Sequence, residues 1–116
     1  MRIALIAAMA ILLNGCYSIP QIDGFDKDQW MSEITNCEEN KLDQAQLLID
    51  QVDKLYSEGE AEIKGLLGSP DEHELYQRNQ KFFYYNLTLK DCPEPKRLSL
   101  RFDALDRLKE VLIIEW

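Results

Sequence analysis

The chain contains one histidine, no adjacent glycines, fewer basic than acidic residues and no apolar run long enough to cross a bilayer. Each shortage excludes something. With His73 alone, a histidine-rich zinc site is out. Any Ser-His-Asp arrangement would have to use His73, which sits in Asp71-Glu72-His73-Glu74 with no GxSxG beside it. The five glycines are scattered, so no phosphate-cradling loop forms. Thirteen basic against 21 acidic side chains give a net charge of −8, which repels phosphate backbones and anionic headgroups. Nucleic acid is therefore excluded as a partner. No CxxC marks a redox cysteine, and no calcium-loop spacing occurs.

Carboxylates are plentiful, so composition alone permits a paired-acid hydrolase. Their placement argues otherwise. Glu58, Glu60 and Glu62 stand where a helix begins and acids face the helix dipole, and Glu38 and Glu39 read as a solvated face. The sequon Asn86-Leu87-Thr88 falls in mid-strand and is discounted. The expectation is a protein that is not an enzyme and uses neither cofactor nor metal.

What the sequence does have begins at its first residues. Met1 and Arg2 open with a positive charge, and residues 3–13 form an unbroken apolar run. That run fits a signal-peptide core and is far short of the ~20 residues of a membrane-spanning helix. Leu13, Asn14, Gly15 and Cys16 resemble the bacterial lipobox, in which a peptidase cuts before a cysteine that carries acyl chains such as palmitate. Residues 1–15 are thus expected to be a lipoprotein signal peptide, 16–25 a lipidated tether and 26–116 a single domain. Loss of Arg2 with the leader takes the charge to about −9, so membrane attachment rests on the lipid at Cys16 rather than on a basic patch. Tyr17, rather than aspartate, follows the lipid cysteine; under the usual sorting logic this favours the outer membrane, on its periplasmic side.

With Cys16 assigned to lipid, Cys37 and Cys92 remain, and an even pair in an exported protein reads as one disulfide. Closing that loop contributes about 4 kcal/mol on the chain-entropy model.

Periodicity then divides the domain. Asp26 is placed to cap a first helix carrying Trp30, Ile34 and Cys37 on one face. Leu42, Ala45, Ile49, Val52 and Tyr56 mark a second helix. For a third, Ser57-Glu58-Gly59-Glu60 reads as a capping box, Ile63, Leu66 and Leu67 as the apolar side, and Gly68 with Pro70 as the exit. Strands follow. Residues 73–77 and 82–89 suit a hairpin turning near Arg78, Asn79 and Gln80. Residues 97–103 alternate, with Leu98, Leu100 and Phe102 inward and Arg97, Ser99, Arg101 and Asp103 outward. Residues 108–116 close the set. The expected fold class is α+β: two to three N-terminal helices packed on one face of a three- to four-stranded antiparallel sheet. Val111 to Ile114 is apolar on both faces. With Tyr84 and Trp116 it makes either an exposed, partner-binding strip on the open sheet face or a small second core beneath the tether.

The run Ile63-Lys64-Gly65-Leu66-Leu67-Gly68-Ser69-Pro70-Asp71, the aromatic strand at 82–86 and Arg97-Leu98-Ser99-Leu100-Arg101-Phe102-Asp103 resemble the SmpA/OmlA family of small outer-membrane assembly lipoproteins (the BamE type). The resemblance covers about half the chain. It implies two helices on a three-stranded antiparallel sheet, lipidation and a periplasmic address. The same architecture serves secreted β-lactamase inhibitors, which bind enzymes with the open sheet face. Cys37, Cys92 and residues 24–37 have no counterpart in the assembly lipoproteins; that segment looks like small lipoproteins of Bacteroidetes-type bacteria. Two functions are weighed. One is an accessory in cell-envelope or outer-membrane assembly. The other is an inhibitor or immunity protein, whose acidic surface would steer it to a basic hydrolase or toxin.

Overall fold

The computed structural model describes residues 18–116, so the leader, Cys16 and Tyr17 lie outside the described residues. The chain runs through helices α1 (Lys27–Met31), α2 (Leu42–Asp50) and α3 (Glu60–Leu67), then strands β1 (Glu72–Leu75), β2 (Lys81–Asn86), β3 (Lys96–Phe102) and β4 (Leu108–Glu115). Single 3₁₀ turns at Val52–Lys54 and Gln77–Asn79 complete it. The sheet is antiparallel throughout, in the order β1-β2-β3-β4. This is the expected α+β fold, with the helices on one face of a four-stranded sheet.

The core lies between helices and sheet. Ala45, Leu48, Leu55, Ile63, Leu66 and Leu67 from the helical half meet Phe83, Tyr85, Leu98, Leu100, Phe102 and Val111 from the sheet. Phe83 and Phe102 join the strands edge-to-face at 4.9 Å between ring centroids. Such pairs prefer this offset geometry because a ring's positive edge meets its neighbour's negative face. Trp30 is buried and its Nε1 donates to the Leu67 carbonyl at 2.9 Å, which satisfies both the indole and a carbonyl at the end of α3.

Two local expectations are corrected. First, α1 stops at Met31, because Ser32 turns to extended backbone and its hydroxyl bonds back to the Gln29 carbonyl. Ile34 and Cys37 therefore lie in an irregular segment, not on a helical stripe with Trp30. There the Asn36 side chain accepts from the Glu38 and Glu39 amides, a local alternative to helix.

Second, Ser57 does not cap α3. It sits at φ 70, and its amide donates to the Leu108 carbonyl instead. Gly59 is the N-cap, and the carboxylate of Asp106, from the β3–β4 turn, accepts the Glu60 amide at 3.0 Å. Glycine suits this contact: a Cβ at position 59 would meet Asp106 Oδ2 and Glu62 Oε2 at 2.8 Å. Ser99 is on the outward face, as its alternation predicts, and is only 6% exposed, because Tyr84 and Leu112 flank it in register.

The stretch placed in the tether also contributes to the domain. Ile22 belongs to the core and Phe25 packs against it. Two glutamines of the second helical segment hold this stretch. Gln51 accepts the Asp23 amide and donates to the Asp23 carbonyl, both at 2.8 Å. The buried Gln44 accepts the Asp26 amide at 2.9 Å.

Candidate functional site

Among the described residues, no helix lies over the outward face of the sheet. Pleating puts Phe82, Tyr84 and Asn86 of β2 beside Arg101, Ser99 and Arg97 of β3, and these beside Glu110, Leu112 and Ile114 of β4. The aromatic groups form a file. Tyr76 meets Phe82 edge-on at 5.9 Å, Phe82 stacks on Tyr84 at 6.1 Å, and the Arg97 guanidinium lies 3.9 Å above the centre of the Tyr84 ring. A guanidinium in that position is attracted by the ring quadrupole and held flat.

Acids border the file. Tyr84 donates to Glu74 at 3.2 Å, Arg97 pairs with Glu72 at 3.4 Å and Arg101 with Glu110 at 3.8 Å. Burial, then the nearby Glu74, raises the Tyr84 hydroxyl above its ordinary pKa. Arg97 Nε and the cross-strand Asn86 Oδ1 are buried with no hydrogen-bond partner among the described residues, which is uncommon for polar atoms in folded proteins. Leu112 continues the apolar surface onto β4 and is 46% exposed.

A second feature lies at the end of the sheet. The Cys37–Cys92 disulfide is present, with Cα atoms 5.5 Å apart, and ties the irregular segment after α1 to the β2–β3 loop. Between them opens a cleft of about 660 Å³ whose walls include Met31, Ile34, Leu89 and Trp116. A smaller hollow of about 150 Å³ adjoins it and shares Met31, Lys41, Asp71 and Asn86. The Lys41 ammonium stands 5.6 Å from the centre of the Trp30 ring, and burial lowers its pKa against the opposing pull of Asp71. Asp71 accepts the Asn86 amide at 2.7 Å.

The two residues expected to share a binding strip are thus apart. Tyr84 is mid-face, while Trp116 lines the cleft, its amide bonded to the Pro95 carbonyl at 3.0 Å. The arginine stacked on Tyr84 was legible only as an alternating outward residue. Its role depends on a β2–β3 register that no local pattern announces.

The cysteines and the histidine form no reactive cluster among the described residues. Both cysteines of the domain are in the disulfide, and His73 is on the exposed strand β1. Among the described residues, no group of three or more His, Cys, Asp and Glu side chains is arranged to hold a metal. The acids that do converge are Glu60 and Asp106, at the start of α3. Burial and then the Glu60 carboxylate raise the Asp106 pKa. Burial would raise Glu60 too, but Lys81, at 2.8 Å, holds it below the usual range. Capping a helix accounts for this pair. Comparison with protein-family models, curated proteins and solved structures found no match for this chain.

Proposed function

We propose that the chain is a lipid-anchored interaction module of the cell envelope, held at the periplasmic side of the outer membrane through Cys16. It serves as an accessory in envelope or outer-membrane assembly and receives a protein partner on the outward sheet face. The observation that carries the reading is the file Tyr76, Phe82, Tyr84 and Arg97 on a face that no helix among the described residues covers. Rigid aromatic rings and arginine are the side chains that dominate protein–protein binding energy, because they bury much area at small entropic cost. The resemblance to SmpA/OmlA lipoproteins and the lipobox-like Cys16 supply the address.

An inhibitor of a basic hydrolase or toxin is the second reading. It is favoured by the net charge of −8 and by Glu72, Glu74 and Glu110 around the same face.

The test is a mild-detergent pull-down of the tagged chain from its own envelope, read by mass spectrometry, with Cys16→Ser and Tyr84→Ser in parallel. Recovery of β-barrel assembly components by the lipidated form, lost with either substitution, is the expected result. A single hydrolase or toxin recovered with and without the lipid would replace the assembly role by inhibition. Binding unaffected by Tyr84→Ser would move the docking surface off this face.

A further inference from the structure

The two edges of the sheet are finished differently. β1 has four residues, three of them Glu72, His73 and Glu74, and is exposed along its length; a short, charged strand is a poor template for another chain. The β4 edge is longer and has little of this protection. The Trp116–Pro95 bond and the β3–β4 register fix which backbone groups face inward: Glu110, Leu112, Ile114 and Trp116 bond to β3. The amides and carbonyls of Val111, Ile113 and Glu115 therefore point away from the sheet, and no other described segment bonds to them. Among the described residues, the backbone bonds made to this edge from outside the sheet are at its start, where residues 57 and 58 bond to both backbone groups of Leu108, while α2 packs against β4. Over 110–115 the strand has no proline, and its irregularity lies before that stretch, where Lys109 is the extra residue.

We propose that β4 is a self-pairing edge. Two copies of this chain join antiparallel over residues 110–116, with the two-fold axis at Ile113, to give one eight-stranded sheet. The strand is complementary to itself in this register. Ile113 faces Ile113 of the second copy, and Val111 faces Glu115, so the outward groups of residues 111, 113 and 115 form six hydrogen bonds. On the outward face Leu112 meets Ile114, and Glu110 meets Trp116. No like charges stand opposite one another, and Leu112, now 46% exposed, becomes covered. Moving the axis to Leu112 leaves four such bonds within 110–116, and moving it to Val111 runs the second copy into residues 57 and 58. Pairing also accounts for the apolar character of β4 on both faces. The proposal depends on neither the lipid anchor nor the partner proposed above.

The test is a cysteine scan over positions 109–115 of the full chain in its own envelope, oxidised and read on a non-reducing gel. In an antiparallel hydrogen-bonded pair, Cα atoms across the axis lie about 5.5 Å apart, inside disulfide range. Copies of residue 112 or 114 are offset by two strand steps, roughly 8 Å, and fall outside it. Cross-linking should therefore peak at Ile113→Cys and be lost when Leu112→Lys is added. Leu112→Lys alters an exposed side chain, so its melting temperature should match that of the parent diluted until it is monomeric and fall below that of the paired parent. Purified in detergent, the chain should sediment at twice the mass of one copy and Leu112→Lys at a single mass. Because each copy carries −8, pairing should tighten as salt rises. A maximum at another position, a cross-link that survives Leu112→Lys, or a cross-link to a different protein would each overturn the proposal.

Discussion

Asp106 shows how much one turn residue can carry. It occupies a left-handed conformation at φ 60, closes the β3–β4 turn and caps a helix 46 residues earlier. Asp106→Ala removes the cap and leaves a β-carbon in a strained conformation, so a loss of about 1–2 kcal/mol is expected. Asp106→Asn keeps the acceptor and the turn, removes a carboxylate beside Glu60 and Glu62, and should melt no lower than the parent. Thermal melts of the two variants check the pair.

Tyr85 is the other residue with a measurable consequence. Its hydroxyl is directed at the Gly68 carbonyl, 2.9 Å away, and burial first, then Asp71, pushes its pKa well above the ordinary value. A raised pKa in the folded state contributes stability fully present below the unfolded value of about 10 and lost as pH climbs towards the folded one. Alkaline unfolding is thus expected above about pH 10, accompanied by the Tyr85 phenolate signal. Tyr85→Phe should cost about 1 kcal/mol at neutral pH and move the alkaline midpoint upward, as followed by circular dichroism against pH.

Among the elements, legibility tracked how local the cause was. β3 was readable because Leu98, Leu100 and Phe102 alternate with polar residues, and α3 because its exit at Gly68 is written in adjacent residues. Gly68 takes φ 78, and a β-carbon there would press on Met31 at 2.9 Å. The start of α3 was misread because its cap is a side chain far along the sequence. α1 was overextended because the Ser32 and Asn36 side chains compete for backbone groups, and periodicity does not record that. The aromatic file with Arg97 needed the register, which cannot be seen along the sequence alone, whereas the disulfide beside the cleft was legible in the pair of cysteines left to the domain.

The disulfide itself supports a prediction at this scale. Residues 32–40 bury almost nothing, so Cys37–Cys92 is what fastens them to the β2–β3 loop. Replacing both cysteines by serine should lower stability by up to about 4 kcal/mol. Amide exchange should rise first over 32–40 and least in β2 and β3; uniform loss of protection would contradict this.

At the scale of the whole molecule, the sheet divides the labour. Its inward face joins the helices in one core, its outward face presents the aromatic file, and its two edges are finished in opposite ways. The net charge of −8 surrounds all of this.

The glutamine clamps at the entry to the domain have a mechanical consequence. A pull on the chain from its N-terminal side reaches Asp23 before any strand. There it meets Gln51, which grips the Asp23 amide and carbonyl together, and then Gln44 at Asp26, with Ile22 seated in the core between helices and sheet. These contacts stand between an N-terminal pull and the strands, so they are expected to open before the strands separate. A domain held from its N-terminal side would then have a built-in strain relief, with moderate tension opening its entry while the faces and edges of the sheet keep their shape.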